Sequence, residues 1–175
     1  VGEVVVRLIN GFERGQIVQN PHLHQVLEHV KNRNTPLHLM GLLSDGGVHA
    51  HTRHVIGLLE AAQRAGLKSV FIHAFTDGRD TGPQTAPQFM AAVQAACDRM
   101  GLGEIVSLIG RYWAMDRDQR WERIQKAYHC LTGHSAQGCT DLLQTLQNYE
   151  AQPQPSGMQG DEFLMPAWKM GPDQQ

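Results

Sequence analysis

Three short apolar runs, at residues 37–43, 69–74 and 105–109, alternate with longer stretches whose apolar side chains recur at helical spacing. Runs of this length suit strands buried on both faces. Their alternation with helices implies βαβ units, and so a largely parallel or mixed sheet with helices packed on it. A single α/β domain is the expected fold. Each run ends in a polar, glycine-bearing segment: Ser44-Asp45-Gly46-Gly47-Val48-His49, then His73-Ala74-Phe75-Thr76-Asp77-Gly78-Arg79-Asp80, then Gly110-Arg111-Tyr112-Trp113-Ala114-Met115-Asp116-Arg117-Asp118. An open α/β sheet builds its ligand crevice outside the carboxyl ends of its strands. One strand end furnished in this way would be ordinary. Three, carrying His49, Arg79, Asp80, Arg111 and Arg117, point to one convergent anion site.

The intervening segments read as helices. Asn20-Pro21 opens a pattern with Leu23, Val26, Leu27 and Val30 on one face, which stops near Asn34-Thr35-Pro36. A second pattern spans 51–65, with Val55, Leu58, Leu59 and Ala62 at helical spacing and Gly66 where a helix end favours glycine. A third covers about 85–100. A fourth, 117–131, is expected to carry Trp121, Ile124 and Tyr128 inward. Thereafter the signal weakens: 140–149 suits a short helix, 151–157 has loop composition, 161–166 recovers some order, and 171–175 trails off. No internal repeat is present.

At 175 residues, with 41% apolar and 18% charged side chains, the composition is that of one soluble globular domain with a real core. No apolar run approaches the roughly 20 residues of a membrane helix. The first residues lack a signal peptide's basic and apolar regions and an initiator Met, so the chain is expected to begin inside a longer protein or after processing. A net charge of −2 argues against nucleic acid or a membrane surface as partner. Any anion site must then come from local clustering of arginine. Cys97, Cys130 and Cys139 show no C-x-x-C spacing, and read as buried thiols of a cytoplasmic protein. The histidines tempt a metal reading, but His51 and His54 are three apart and no H-E-x-x-H occurs, so no metal is expected within this chain. His73 ends a strand and reads as a satisfied core group. His22, His24, His29, His129 and His134 read as surface residues.

Each strand end has two readings. Gly46-Gly47 lets the backbone approach an anion at a helix N-terminus, with His49 reaching the crevice; the same segment suits a tight turn with Asp45 as a local cap. In Asp77-Gly78-Arg79-Asp80, arginine offers a planar fork for phosphate or carboxylate and Asp80 can take or return a proton, while an ion pair that merely stabilises the loop fits equally. Arg111 and Arg117 together bind a small dianion better than one arginine; the same residues suit a solvated helix start, with Asp116 and Asp118 near its positive end. Arg120 reads as structural, and Asp77 as the residue that organises its loop.

The runs L-H-L-M-G-L-L-S-D-G-G-V-H, D-G-R-D-T and G-R-Y-W-A-M-D-R-D-Q-R-W resemble, in order, the substrate-binding (phosphotransferase) domain of the cofactor-independent phosphoglycerate mutases. The resemblance runs from about Gly11 through 161–166. It implies an isomerase of glycolysis and gluconeogenesis that interconverts 3-phosphoglycerate and 2-phosphoglycerate. It also implies a second, alkaline-phosphatase-like domain with two manganese ions and a serine that accepts the phosphoryl group. By the same resemblance His49, Arg79, Asp80, Arg111 and Arg117 contact substrate, and Asp80 holds or deprotonates the hydroxyl that receives the phosphoryl group. The serine and metal motifs, the family's later arginine pair and a lysine of the metal domain have no counterpart here, so the chain alone is expected to be inactive. The rival readings are a non-catalytic phosphoacid or phosphosugar-binding module, a structural domain, and, last, a nucleotide-binding domain, whose glycine fingerprint is missing.

Overall fold

The computed structural model describes residues 2–134, 137–152 and 157–171. The three expected strands form as β1 (Leu37–Leu42), β2 (Val70–Thr76) and β3 (Glu104–Gly110), parallel and side by side. Two strands of three residues, β4 (Gln137–Cys139) and β5 (Ala167–Lys169), complete a mixed sheet of order β1-β2-β3-β5-β4, with β5 antiparallel to β3 and parallel to β4. Alternation along the strands splits the core between two faces. Ile72 and Ala74 of β2, with Leu108 of β3, pack with Leu59, Phe89, Val93 and Leu146 from helices on one side. Leu42, Phe75 and Ile109 meet Trp113, Ala127 and Cys130 on the other. His73 is buried as expected: its ring bonds His38 Nδ1 at 2.9 Å and Ser107 Oγ at 2.8 Å, a polar row across three strands.

Among the described residues seven α-helices accompany the sheet: α1 (Gly2–Glu13), α2 (Pro21–Arg33), α3 (Thr52–Arg64), α4 (Ala86–Met100), α5 (Arg111–Ala114), α6 (Trp121–Thr132) and α7 (Leu142–Ala151). The sequence reading did not anticipate α1, because Val4-Val5-Val6 favours extended chain by propensity. Tertiary packing overrides that preference. Val5 is buried, and the Phe12 ring lies where a side chain on Gly57 of α3 would stand. In α2, Asn20 caps the amides of His22 and Leu23 and Asn34 closes the helix in the left-handed conformation. Leu27 and Val30 face the core; Val26, expected with them, is exposed. The start of α3 is capped by His51 Nδ1, which accepts from Arg53 N at 3.1 Å, and not by Asp45.

The fourth helical pattern needs the largest correction. The Asp116 carboxylate accepts the amides of Asp118 and Arg120, at 3.2 and 2.8 Å, and winds the chain into a turn that delays the helix to Trp121. The buried stripe therefore falls on Ala127 and Cys130, with Ile124 half-buried. Trp121 and Tyr128 are 71% and 60% exposed, the reverse of the expectation. His129 is half-buried, unlike the other histidines assigned to the surface. All three cysteines are free; burial pushes the Cys130 thiol up to about 11, leaving little reactive thiolate. Residues 153–156 and 172–175, read as loop and tail, lie outside the described residues.

One late segment ties the sheet's carboxyl end together. Asp161 is fully buried, and its Oδ2 accepts the amides of Thr85 and Ala86 at 2.8 Å each, capping α4 from far along the chain. Its carbonyl accepts from Thr76 Oγ1 of β2 at 2.6 Å, and Gly110 of β3 donates to Leu164 O at 2.9 Å. Gly78 and Gly110 leave the passage open: a Cβ on Gly78 would lie 2.9 Å from Glu162 N, and one on Gly110 would strike Glu162 O. The Gly110→Ala variant is expected to lose about 1–3 kcal/mol, from displaced backbone rather than torsional strain, read by urea unfolding.

Asp161 Oδ1 and Glu150 Oε1 are both buried without a donor, and the two carboxyls face one another. Burial and then the neighbouring Asp161 push the Glu150 carboxyl up to about 7, and burial pushes Asp161 in the same direction. A raised carboxyl contributes stability that is complete below the unfolded value and lost as pH rises through the folded one. Glu150→Gln is accordingly expected to stabilise the chain by about 1–3 kcal/mol at pH 8 and to leave it unchanged near pH 4, as thermal melts at the two pH values will show.

Candidate functional site

The three strand ends converge on Asp77. This residue, 1% exposed at the end of β2, accepts Ser44 Oγ from the β1 end at 2.6 Å and Arg111 Nη1 from the β3 end at 2.6 Å. It also takes the amides of Arg79 and Asp80, at 3.2 and 3.0 Å, which fixes its own loop as the sequence suggested. Gly78, in the left-handed conformation, turns that loop back over the strand. Arg111 Nη1 reaches a second carboxylate, Asp80 Oδ2, at 2.6 Å. His49 Nε2 lies 3.6 Å from the same Asp80 oxygen.

Above these contacts opens a cleft with a cavity volume of about 120 Å³. His49, Arg79, Arg111 and Arg117 line it, and Asp80 stands directly behind His49 and Arg111. All five residues singled out in the sequence are therefore brought together. They are not equivalent. Arg111 is tied to two carboxylates and nearly buried, whereas the guanidinium groups of Arg79 and Arg117 have no ion-pair partner among the described residues. Gly46-Gly47 does not sit at a helix N-terminus, since α3 begins beyond it at Thr52. Gly46 instead lies against the backbone of Asp80, with room for little more than a hydrogen.

A protein-family model described as the BPG-independent PGAM N-terminus matches residues 9–175. The chain belongs to this family. It is 40% identical over 167 residues to a 2,3-bisphosphoglycerate-independent phosphoglycerate mutase of Listeria welshimeri, covering 95% of this chain and 32% of that protein. It is 48% identical over 128 residues to a protein of the same name from Syntrophotalea carbinolica, covering 73% of this chain and 25% of the relative. The chain thus spans about a third or less of the length of the curated relatives it matches. A crystal structure of Leishmania mexicana phosphoglycerate mutase at low cobalt concentration superimposes with a TM-score of 0.86 at 22% identity, over 99% of this chain and 32% of that one, and shows the same fold.

The cleft also holds Tyr112, Met115, Asp116 and Asp118 of the third strand-end segment, none of them singled out as a ligand, and Arg123 and Glu162, which lie outside all three segments. Arg123 is held by Asp116 Oδ1 at 3.3 Å and stacks 3.8 Å over the Tyr112 ring, so its charge is fixed at the cleft wall. Glu162 arrives on the segment that Gly78 and Gly110 admit. Those two glycines, each next to a site arginine, were the sequence signal that a second piece of backbone passes close by.

Burial alone would raise the Asp77 carboxyl. The hydrogen bonds from Ser44, the Asp80 amide, Arg111 and the Arg79 amide outweigh it and hold the group below its ordinary value. Burial likewise disfavours the Arg111 cation, and its bonds to Asp80 and Asp77 more than restore it. A depressed carboxylate contributes stability that is present above its unfolded value and lost as pH falls through the folded one. Asp77→Ala should therefore cost about 3–5 kcal/mol near neutrality, since it takes one of two carboxylates from Arg111 and leaves the Ser44 hydroxyl and two loop amides without their acceptor, and should flatten the loss of stability below about pH 4. Ser44→Ala should cost only about 1 kcal/mol; urea titrations of the three proteins from pH 3 to 7 give both numbers.

Proposed function

We propose that the cleft holds phosphoglycerate, and that the chain is the substrate-holding domain of an enzyme interconverting 3-phosphoglycerate and 2-phosphoglycerate. The observation that carries this reading is the pairing of two unengaged guanidinium groups, Arg79 and Arg117, with the preorganised His49–Asp80–Arg111 group in a single small cleft. Phosphoglycerate carries a phosphate, a carboxylate and a hydroxyl. Arg79 and Arg117 supply free forks for the two anionic groups, each able to bind in bidentate fashion. Asp80, bonded to Arg111 and facing His49, would accept a hydrogen bond from the hydroxyl and take its proton as that oxygen becomes the nucleophile. Asp77 contacts no substrate in this reading; it fixes Arg111 and the loop that carries Arg79 and Asp80.

The phosphoryl-accepting serine and two manganese ions are proposed for an alkaline-phosphatase-like domain of the same longer protein. Among the described residues no group of three or more His, Cys, Asp or Glu is gathered to hold a metal ion. What this chain contributes is position and charge: it neutralises the anion, fixes the glycerate and presents its hydroxyl. Among the described residues no helix is long and apolar enough to cross a membrane. A cytoplasmic setting is part of the proposal, in keeping with three free thiols, of which Cys97 and Cys130 are buried and Cys139 is half-buried.

Titration of 3-phosphoglycerate into the chain, followed by NMR with inorganic phosphate as control, tests the reading. Selective shifts are expected at His49, Arg79, Asp80, Arg111 and Arg117. Arg117→Ala removes an exposed guanidinium without stranding a buried carboxylate, and should weaken binding by about 10–100-fold with an unchanged melting temperature. No response to millimolar ligand, or equal affinity in the variant, would overturn the assignment.

A further inference from the structure

Glu162 stands apart from the other acidic residues of the cleft. Asp77 and Asp80 are engaged by Arg111, and Asp116 by Arg123 and two amides, while Asp118 sits exposed at the rim. The Glu162 carboxyl is half-buried and lines the cleft, yet no hydrogen bond or ion pair engages it among the described residues. Nor can it withdraw, because its backbone is wedged between Gly78 and Gly110. A fixed negative charge beside cations gathered for an anion opposes that anion, unless the group changes its protonation state.

We infer that Glu162 is the proton-taking group of the cleft: as an anionic group of the ligand settles beside Arg79 and Arg111, the Glu162 carboxyl takes one proton from solvent and donates a hydrogen bond to the bound anion. This rests on the assignment of the cleft to phosphoglycerate. The surroundings support it from every side. On the loop after β2, Arg79 favours the ionised form, while Asp77 and Asp80 oppose it. From the β3 end, Arg111 favours the ionised form, with Tyr112, Asp116, Arg117 and Asp118 at the cleft wall. His49 faces the cleft from the β1 loop, Arg123 from α6, and Tyr149 of α7 feels the Glu162 charge from behind, next to the Asp161–Glu150 pair. Burial, the largest influence, already pushes the Glu162 carboxyl above its ordinary value. An incoming dianion cancels the pull of Arg79 and Arg111 and adds a like charge, and both effects act in the same upward direction.

The sign of the linkage follows. Affinity is complete below the free-state pKa of Glu162, falls by up to about tenfold per pH unit as pH rises toward the bound-state value, and then levels off. Calorimetric titrations of 3-phosphoglycerate between pH 6 and 8, in buffers of different protonation enthalpy, measure the protons taken up. The native chain should take up as much as one proton more per ligand than Glu162→Gln. That variant, whose amide also donates, should bind at pH 8 as tightly or up to about tenfold more tightly, with a flatter pH profile. Equal proton uptake in both proteins would overturn the inference. So would loss of binding in a Glu162→Gln protein of unchanged melting temperature, which would make Glu162 a carboxylate acceptor instead. Carbon-13 NMR of the native Glu162 carboxyl decides the matter without any variant, because its titration must move upward when ligand is added. Binding with no linked proton defeats this inference alone; no binding of 3-phosphoglycerate at any pH defeats the phosphoglycerate assignment, and this inference with it.

Discussion

The carboxylate of Asp77 is the point on which the carboxyl end of the sheet depends. A parallel sheet delivers its strand ends side by side but says nothing about how the following loops are held. Here one buried carboxylate gathers a hydroxyl from the first strand end, two amides from its own loop and a guanidinium from the third. A carboxylate has about four acceptor sites, and this one has found four donors. Such a group is stable in the interior only because it is fully satisfied, and every loop it touches inherits its position.

That arrangement divides the arginines by task. Arg111 spends its charge inside the protein and acts as scaffold, held by Asp77 and Asp80. Arg123 is likewise committed, to Asp116 and the Tyr112 ring. Arg79 and Arg117 keep their charge for whatever enters. Of the four arginines that line the cleft, Arg111 and Arg123 are paired with local carboxylates, while Arg79 and Arg117 have no ion-pair partner among the described residues. Substituting either kind abolishes a positive charge, but only the scaffolding kind leaves buried acids behind.

Much of this was legible in the sequence. Strand ends announced themselves as an apolar run followed at once by Gly, Asp and Arg, and the five residues chosen from them do meet around one cleft. Two helix ends kept to their expected boundaries, at Asn20 and Gly66, because local chemistry sets them. What escaped the reading was decided at long range. The Asp116 turn rotated α6 and exposed Trp121 and Tyr128, a shift that periodicity alone does not contain. Helix α1 forms against strand-favouring valines because α3 offers Phe12 a place over Gly57. Strands β4 and β5 are three residues each and exist only as partners to other strands. Glu162 reaches the cleft from a part of the chain with weak local pattern, through contacts that only the folded backbone defines.

The cap that Asp161 places on α4 carries a kinetic consequence. Most helices are capped by a neighbour and can begin to form alone, but the Thr85 and Ala86 amides wait for a carboxylate 76 and 75 residues further on. Closing so long a loop is slow, since its entropy is lost before the contact is gained. The segment that closes it also carries Glu162 to the cleft. The cap of α4 and the delivery of Glu162 to the cleft therefore depend on the same long-range contact.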